Sequence, residues 1–198
     1  MCMNTVTELA KKVNPCQRNF DLTQSIPQEH IDYILQAATS MPTKDNSNSY
    51  EIIVFTKEEH TRKLLDTAFH YVDMQGNKRA LYCNGQVYSR CTILFSRPKN
   101  NDKKSSDESD MMIGIASASA ALAAAELGYA TGFCKCIHNK TINKFKKSIG
   151  LEYVSNPRLM LGIGIPNKNF DRHDIVIDNK SVNRKEARPE KNISITFA

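Results

Sequence analysis

The sequence predicts an α+β fold. Short apolar stretches with the length of strands, EIIVFT, CTILFS and RLMLGIGIP, alternate along the chain with segments of helical periodicity. This alternation argues against a pure helix bundle and a pure β-sandwich. A chain of 198 residues suits one domain, residues 1–198, that buries a substantial core, and the sequence contains neither an internal repeat nor a linker.

The N-terminal part of the chain predicts two helices. NTVTELAKKV places its apolar residues on one helical face, and Thr5 and Glu8 have the spacing of a capping box. Ser25 and Gln28 repeat that spacing at the start of a second helix. The buried stripe of the second helix is predicted at Ile31, Ile34, Leu35 and Ala38.

The middle of the chain predicts strands, a helix and a loop. EIIVFT is a strand buried on both faces, KEEHTRKLLDTAFHYV is a helix, and CTILFS is another buried strand. RPKNNDKKSSDESD, residues 97–110, is predicted as a mobile charged loop. MMIGIASASAALAAAEL is predicted as a buried helix that ends at Gly128, because it is too short and too polar to span a membrane.

The last third of the chain predicts two further strands. RLMLGIGIP is a buried strand stopped by Pro166, and NISITF alternates as a strand with one covered face. Gly162 and Gly164 lack the third glycine and the helix start of a dinucleotide-binding loop. We therefore expect these glycines to allow close packing against the Ala-rich helix.

Composition and charge narrow the function classes. With 40% hydrophobic and 24% charged residues and no export signal, the chain is expected in the cytoplasm without a membrane partner. The net charge of +6 favours anionic ligands. The basic runs KNNDKK and KNKTINKFKK contain few aromatic residues for stacking, so solvated charge is favoured over nucleic-acid binding.

The cysteines do not predict a metal site. Six cysteines without framework spacing indicate reduced thiols. In CKCIH, Cys134, Cys136 and His138 would point the same way along a strand, but a closed zinc site needs a fourth ligand. Buried structural thiols are favoured over zinc ligands, and a catalytic Cys–His pair has no local signature.

The stretch NPCQRNFDLTQSIPQEHIDYILQAATSMPTKDNSNSYEIIVF resembles the opening of the nitroreductase family of FMN-dependent oxidoreductases. Arg18 and Phe20 fit its Arg-x-Ser-x-(Arg/Lys)-x-(Phe/Tyr) segment. Ile26, Pro27 and Gln28 fit the family's helix start. The positions of its polar loop are occupied in unbroken register by Pro42, Thr43, Asn46, Asn48 and Tyr50. The Ala-rich helix, RLMLGIGIP and RKEARPEKNISITF follow in family order, so the resemblance covers most of the chain.

The chain departs from the family pattern at the site itself. Asn14 stands where the family has a phosphate-binding arginine, and Cys16 where it has a serine. Asn48, Ser49 and Tyr50 replace the family's Gln, Pro and Trp.

The resemblance implies a nitroreductase-like fold. A central mixed or antiparallel sheet would be flanked by helices, and the C-terminal strand would extend onto the partner subunit of an obligate homodimer. FMN would lie at the subunit interface. NAD(P)H would deliver a hydride to flavin N5, and a nitroaromatic, quinone or similar acceptor would take the electrons in a ping-pong cycle. No protein side chain would act as a nucleophile.

The resemblance also implies a set of cofactor-binding residues. Arg18 would face the N1 and O2 edge, the main chain of residues 134–136 would approach N5, and Lys185 and Arg188 would bind the phosphate. The whole set is Asn14, Pro15, Cys16, Arg18, Pro42, Thr43, Lys44, Asn46, Asn84, Gln86, Cys134, Lys135, Cys136, Lys185 and Arg188.

Other interpretations remain open at this stage. Arg18 could form a surface ion pair, Asn46 could fix a turn, and Lys185 with Arg188 could be solvated charges. The chain could be a specialised family member with a narrow substrate. It could also keep the fold and bind flavin with little or no turnover, and nucleic-acid binding is a distant third possibility.

Overall fold

The computed structural model of the protein describes residues 5–46, 49–65, 69–74, 77–82, 85–98, 103–137, 139–154, 156–170, 172, 175–177, 180–182 and 196. The helices are α1 Val6–Val13, α2 Gln28–Thr39, α3 Glu58–Leu64, α4 Lys103–Glu126 and α5 Asn139–Ser148. The strands are β1 Glu51–Phe55, β2 Phe69–Met74, β3 Asn77–Tyr82, β4 Cys91–Ser96, β5 Ala130–Cys134, β6 Pro157–Gly164, β7 Ile175–Ile177 and β8 Lys180–Val182. Short 3-10 turns occupy Lys44–Asn46 and Gly85–Val87.

A four-stranded antiparallel sheet in the order β1–β4–β6–β5 forms the centre of the fold. The pairs β2–β3 and β7–β8 are separate antiparallel hairpins. Because helices cover this sheet, the predicted α+β class is confirmed. The NISITF strand and its extension onto a partner lie outside the described residues, apart from Thr196.

The sheet is buried on both faces, because alternate residues of its inner strands enter two different cores. One core joins Ile93 and Phe95 of β4 to helices α2 and α4. The other joins Leu94 of β4 to Leu64 of α3 and Phe145 of α5. The arrangement therefore has three layers, with the sheet in the middle.

Local sequence signals set some helix ends and fail at others. The predicted capping box of α1 is confirmed: the Thr5 N–H donates to Glu8 Oε2 at 2.7 Å, and the Glu8 N–H donates to Thr5 Oγ1 at 3.3 Å. The Ser25 capping box is wrong, since α2 begins only after Pro27 and has no side-chain cap. A residue before proline is disfavoured in helical conformation, which keeps Ile26 out of the helix.

The predicted end of the Ala-rich helix at Gly128 is confirmed. Gly128 has a φ of 87°, and its N–H donates to the Ala125 carbonyl at 3.1 Å. The Tyr129 N–H donates to the Ala124 carbonyl at 2.9 Å, which completes a Schellman motif. None of the described helices is both long and apolar enough to cross a bilayer.

Three predictions along the middle of the chain are only partly correct. The helix predicted over KEEHTRKLLDTAFHYV ends at Leu64, and its last part is strand β2, where Phe69 pairs with Tyr82. Within the loop predicted over residues 97–110, residues 103–110 are the first turns of α4, and residues 99–102 lie outside the described part. Strand β1 packs against a core on each face, as predicted, but it is only partly buried because it lies at the edge of the sheet.

Candidate functional site

The segment after α1 runs along the free edge of β5. The Gln17 N–H donates to the Thr131 carbonyl at 2.8 Å, and Cys16 Sγ lies 3.7 Å from the Phe133 carbonyl oxygen. Phe20 then forms an antiparallel bridge with Pro166, beyond the end of β6. These backbone contacts carry Arg18 to the end of the central sheet.

Arg18 is buried at this position. The residue is 5% exposed, and its backbone N–H donates to the Arg172 carbonyl at 3.0 Å. At this depth the Arg18 guanidinium is not part of the solvated surface. A buried guanidinium is a strong binding group for an anionic or electron-rich ligand.

The turn Gly85–Val87 packs directly on a glycine surface of the sheet. Gly132 of β5 and Gly162 of β6 are register partners. A Cβ on Gly162 would lie 1.9 Å from the Gln86 carbonyl oxygen, and a Cβ on Gly132 would lie 2.3 Å from the Gln17 carbonyl oxygen. These two glycines, which we call the glycine cradle, therefore bring the Gln86 turn and the Arg18 segment together.

The glycine cradle corrects one expectation. The sequence predicts that Gly162 packs against the Ala-rich helix, but this glycine faces the Gln86 turn. Gly164 faces the ring of Phe20, because a Cβ added to Gly164 would lie 3.0 Å from Phe20 Cδ1. Interior glycines of a strand signal close backbone approach, but the sequence does not say which segment approaches.

Gln86 is a buried acceptor in this cluster. The residue is 7% exposed, and in the described part of the chain its Oε1 atom accepts no hydrogen bond. An unsatisfied buried amide oxygen costs about 1 to 3 kcal/mol unless a ligand or water supplies a donor. This atom therefore fits a ligand that presents an N–H group.

A pocket of about 270 Å³ opens beside Arg18 and Gly85. Its wall combines a cation, short polar side chains and aromatic rings. The other lining residues are Asn19, Phe20, Asp21, Leu22, Thr23, Tyr88, Asn167 and Phe170. Sequence reasoning missed Tyr88, Asn167 and Phe170, which lie far from Arg18 along the chain and carry no common motif.

A second pocket of about 410 Å³ is formed by the polar loop before β1. Asp45 and Asn46 have positive φ values of 54° and 52°, a conformation that Asp and Asn tolerate better than most residues. The pocket is lined by Thr39, Ser40, Met41, Pro42, Thr43, Asn46, Ser49 and Tyr50. The predicted loop residues Pro42, Thr43 and Asn46 thus share one cavity.

Tyr50 fixes the far end of this loop. Its hydroxyl donates to the Ala38 carbonyl at 2.9 Å, and burial raises the pKa of its phenol. Lys44 belongs to the turn by its backbone, and its side chain lies outside the described part. Of the described residues, none lines both this pocket and the pocket beside Arg18.

The predicted residues around β5 have different surroundings. Cys134 is 2% exposed and packs in the core with Met160. Lys135 and Cys136 are exposed beyond the end of the strand. The sequence predicts that Cys134 and Cys136 lie on one face of a strand. This prediction is wrong, because strand β5 ends at Cys134. Among the described residues, no three His, Cys, Asp or Glu side chains meet as metal ligands would.

The remaining predicted site residues are partly described. Asn14 follows α1 as its exposed C-cap, and its N–H donates to the Ala10 carbonyl at 3.0 Å. Pro15 is half-buried between this cap and the β5 edge. Asn84, Lys185 and Arg188 lie outside the described residues.

Comparison with known proteins gives a consistent result. The Nitroreductase family model matches residues 16–165. A nitroreductase family protein from Clostridium difficile 630 has a TM-score of 0.65 and 21% identity, over 83% of this chain and 86% of that one. Nitroreductase with bound FMN from Bacteroides fragilis NCTC 9343 has a TM-score of 0.65 and 15% identity, over 98% of this chain and 100% of that one.

A third structure, a nitroreductase family protein from Clostridium novyi NT, has a TM-score of 0.64 and 16% identity, over 86% of this chain and 90% of that one. At such identities these likenesses show a shared fold. No individually curated protein matches the sequence.

Proposed function

The chain belongs to the nitroreductase family, and from this premise we propose that it is a cytoplasmic FMN-dependent oxidoreductase. When bound, FMN would supply a hydride acceptor at N5, the chemistry needed for a ping-pong reduction of a nitroaromatic, quinone or similar acceptor by NAD(P)H. The observation that carries this proposal is the close approach of two buried segments, the one that contains Arg18 and the turn that contains Gln86, at the glycine cradle.

Gln86 and Arg18 fit the polar edge of a flavin ring. The ring presents an N–H at N3, and the Gln86 Oε1 atom is a buried acceptor without a partner in the described part of the chain. The buried guanidinium of Arg18 would stabilise negative charge near N1 and O2 more than it would stabilise a neutral ring, and so would favour reduction of bound FMN.

The phosphate end of the proposed site relies on the start of the chain and on its C-terminal part. Asn14, Pro15 and Cys16 lead from α1 towards Arg18, but none of the three carries a positive charge. Lys185 and Arg188 are the cations that we assign to the phosphate. Their positive charge would compensate for the asparagine at position 14.

The end of β5 is assigned to the N5 side of the ring through its main chain. Cys134, Lys135 and Cys136 would offer backbone N–H groups there. Thiol chemistry is not required, and the Cys134 side chain is enclosed in the core. In this arrangement the protein binds and orients the cofactor, and no protein side chain donates or accepts the hydride.

The loop pocket supports a dimeric site. Pro42, Thr43, Lys44 and Asn46 are assigned to the FMN of a partner subunit, since their pocket is distinct from the one beside Arg18. The exposed face of α4 offers a surface for a second copy, because Met111 and Ile115 are 59% and 42% exposed one turn apart. We therefore assign the chain to a homodimer with FMN at the interface.

A second candidate function is a flavin-binding protein with little or no reductase turnover, or a specialised relative with a narrow substrate. The exposed, uncharged Asn14 favours this alternative, because it removes one phosphate-binding cation from the family pattern. Both alternatives keep the fold and the glycine cradle. They differ in whether bound FMN is reduced by NAD(P)H.

The visible spectrum of the purified protein, before and after NADPH or NADH addition, tests the proposal. A yellow protein whose colour bleaches supports the reductase. A yellow protein that no nicotinamide donor bleaches supports the flavin-binding alternative. A colourless protein that cannot be reconstituted with FMN would contradict both the reductase function and the flavin-binding alternative.

Arg18→Ala tests the assignment of the buried cation. We expect FMN to dissociate at least about tenfold more readily, because a charge-assisted contact to the ring edge is lost. Fluorescence of released FMN measures the effect. The matched control is Lys12→Ala, which removes an exposed cation from α1, and the circular dichroism spectrum checks that both variants fold. Equal FMN retention in both variants would exclude Arg18 from the site.

A further inference from the structure

Helix α5 presents a stripe of exposed lysines to solvent. Lys140, Lys144 and Lys147 are spaced so that they share one helical face, and each is exposed. The sequence of α5, NKTINKFKKS, contains no acidic residue. We call these three residues the lysine stripe.

The opposite face of α5 is fixed in the fold. Ile142 is 1% exposed and Phe145 is 5% exposed, both in the core that covers the sheet. The sequence favours solvated charge along this whole basic run, but Lys146 is buried and donates from Nζ to the Val154 carbonyl at 2.5 Å. The buried face therefore fixes the orientation of α5, and the lysine stripe faces solvent.

Nearby acidic residues only partly offset the lysine stripe. Helix α3 packs against α5 and carries Glu58 and Glu59. The Glu58 carboxylate is paired with Arg90 at 3.0 Å, and Glu59 lies 3.3 Å from His60. Glu152 is exposed in the turn after α5. The stripe thus keeps a local excess of positive charge.

The position of the stripe links it to the proposed cofactor site. Helix α5 begins four residues after the exposed Lys135, at the end of β5. The main chain of residues 134–136 is the part assigned above to flavin N5. Five residues of chain span at most about 18 Å, so a macromolecule bound at Lys140 would lie within about that distance of Lys135, in the segment assigned to N5.

We infer that the lysine stripe docks an acidic electron-carrier protein, as a second electron source for the proposed reductase. This inference rests on the proposed function. Two reduced carriers would each lose one electron. The two electrons, with two protons from solvent, would convert one quinone to its hydroquinone, so the carrier is oxidised and the acceptor is reduced.

A small acidic protein fits the stripe better than a membrane or a nucleic acid. The apolar side of α5 is buried, so it offers nothing to insert into a lipid surface. Phe145, the aromatic residue of α5, is buried too and cannot stack on bases. A stripe about 10 Å long suits the small, charge-steered contacts of electron-transfer encounters.

Surface plasmon resonance on the 198-residue protein tests this docking. The probe is a plant-type [2Fe–2S] ferredoxin with a strongly acidic surface, which is passed over immobilised protein at low and high ionic strength. The stripe variant combines Lys140→Gln, Lys144→Gln and Lys147→Gln. The matched control combines Lys11→Gln, Lys12→Gln and Lys168→Gln, three exposed lysines outside α5 with the same change in charge.

We expect the stripe variant to bind the probe about tenfold or more weakly at low salt, while the control binds like the unmodified protein. Added salt should weaken binding of the unmodified protein, because these charges are exposed. Equal binding by the two variants, or binding that salt does not change, would overturn the inference. Stripe-dependent binding of phosphatidylserine vesicles or single-stranded RNA, without ferredoxin binding, would also overturn it.

The result is separable from the proposed function. Binding is measured with FMN added and without it, and bleaching by NADPH is measured independently. If the protein docks the carrier through the lysine stripe but never binds FMN, the docking surface is supported and the proposed reductase function is contradicted. If NADPH bleaches the bound flavin but the carrier does not dock, the docking surface is contradicted and the proposed reductase function is supported.

Discussion

Single glycines decide where the proposed cofactor-binding groups lie. Gly132 and Gly162 are opposite each other in the sheet, and the backbone of the Gln86 turn occupies the space that their side chains would take. The sequence indicates Gly162 as a point of close approach. The sequence predicts the wrong neighbour for Gly162. The residue pattern of a single sequence does not indicate which distant segment packs into the space beside a glycine.

Gly162→Ala should disrupt this contact. Its Cβ would lie 1.9 Å from the Gln86 carbonyl oxygen, so the turn must move away from the sheet. We expect a loss of about 3 kcal/mol in the free energy of unfolding, at the upper end for overpacking, and weaker FMN retention. Denaturant unfolding and FMN fluorescence measure the two effects.

Gly128→Ala is the matched comparison. No atom lies within 4 Å of its added Cβ, but its φ of 87° is strained for alanine. We expect a loss of about 1 kcal/mol with unchanged FMN retention. If Gly162→Ala proves no more damaging than Gly128→Ala, the glycine cradle does not hold the Gln86 turn.

The start of α4 shows how an element can form against its local sequence. The segment KNNDKKSSDESD is typical of a charged loop, yet the helix begins at Lys103. Asp110 accepts from Arg97 Nη2 at 2.6 Å and from Arg158 Nη2 at 2.7 Å. These contacts tie the first turns of α4 to the end of β4 and the start of β6, which the sequence alone could not indicate.

Asp110→Asn should release the start of α4 in a pH-dependent way. The hydrogen bond from Arg97, together with Arg158, holds the pKa of the Asp110 carboxyl well below its usual value of 3.8. At pH 7 we expect a loss of about 1 to 2 kcal/mol in the free energy of unfolding, kept small by partial solvent exposure.

The sign of the pH dependence follows from that depressed pKa. As the pH falls below about 4, the unfolded chain binds the proton at Asp110 before the folded chain does, so the stabilisation is lost on acidification. Unfolding curves for the two proteins should therefore converge below pH 4. The matched control is Asp107→Asn in the same helix; an equal loss from that exposed residue would contradict a specific role for Asp110.

At the scale of the whole molecule, the residues assigned to the proposed site line two separate pockets in the part of the chain that the structure describes. The pocket of the polar loop and the pocket beside Arg18 have no described lining residue in common. The exposed Met111 and Ile115 on α4 mark a surface that a second copy could cover. A homodimer would account for both features.

Ile115→Asp tests the homodimer. A carboxylate in the centre of an apolar contact should shift the protein to the monomer and lower its FMN content, since burying an unpaired charge is unfavourable. Sedimentation velocity measures the change. Tyr153→Asp is the matched control, because Tyr153 is 66% exposed on a different part of the molecule. A dimer that survives Ile115→Asp would place the interface away from this face of α4.

The sequence by itself determined the α+β class, the buried strands β4 and β6, the cap of α1 and the end of α4 at Gly128. These features depend on apolar periodicity and on local hydrogen bonds, which a few neighbouring residues specify. The family resemblance singled out Arg18 and Gln86 as site residues.

Only the tertiary structure decided how those residues are arranged. It brought the Arg18 segment and the Gln86 turn onto the glycine cradle, formed the first turns of α4 around Asp110, and extended β2 where the sequence favours a helix. The reason is physical: each arrangement depends on atoms far apart in the chain, whose packing and charge pairing override local propensity.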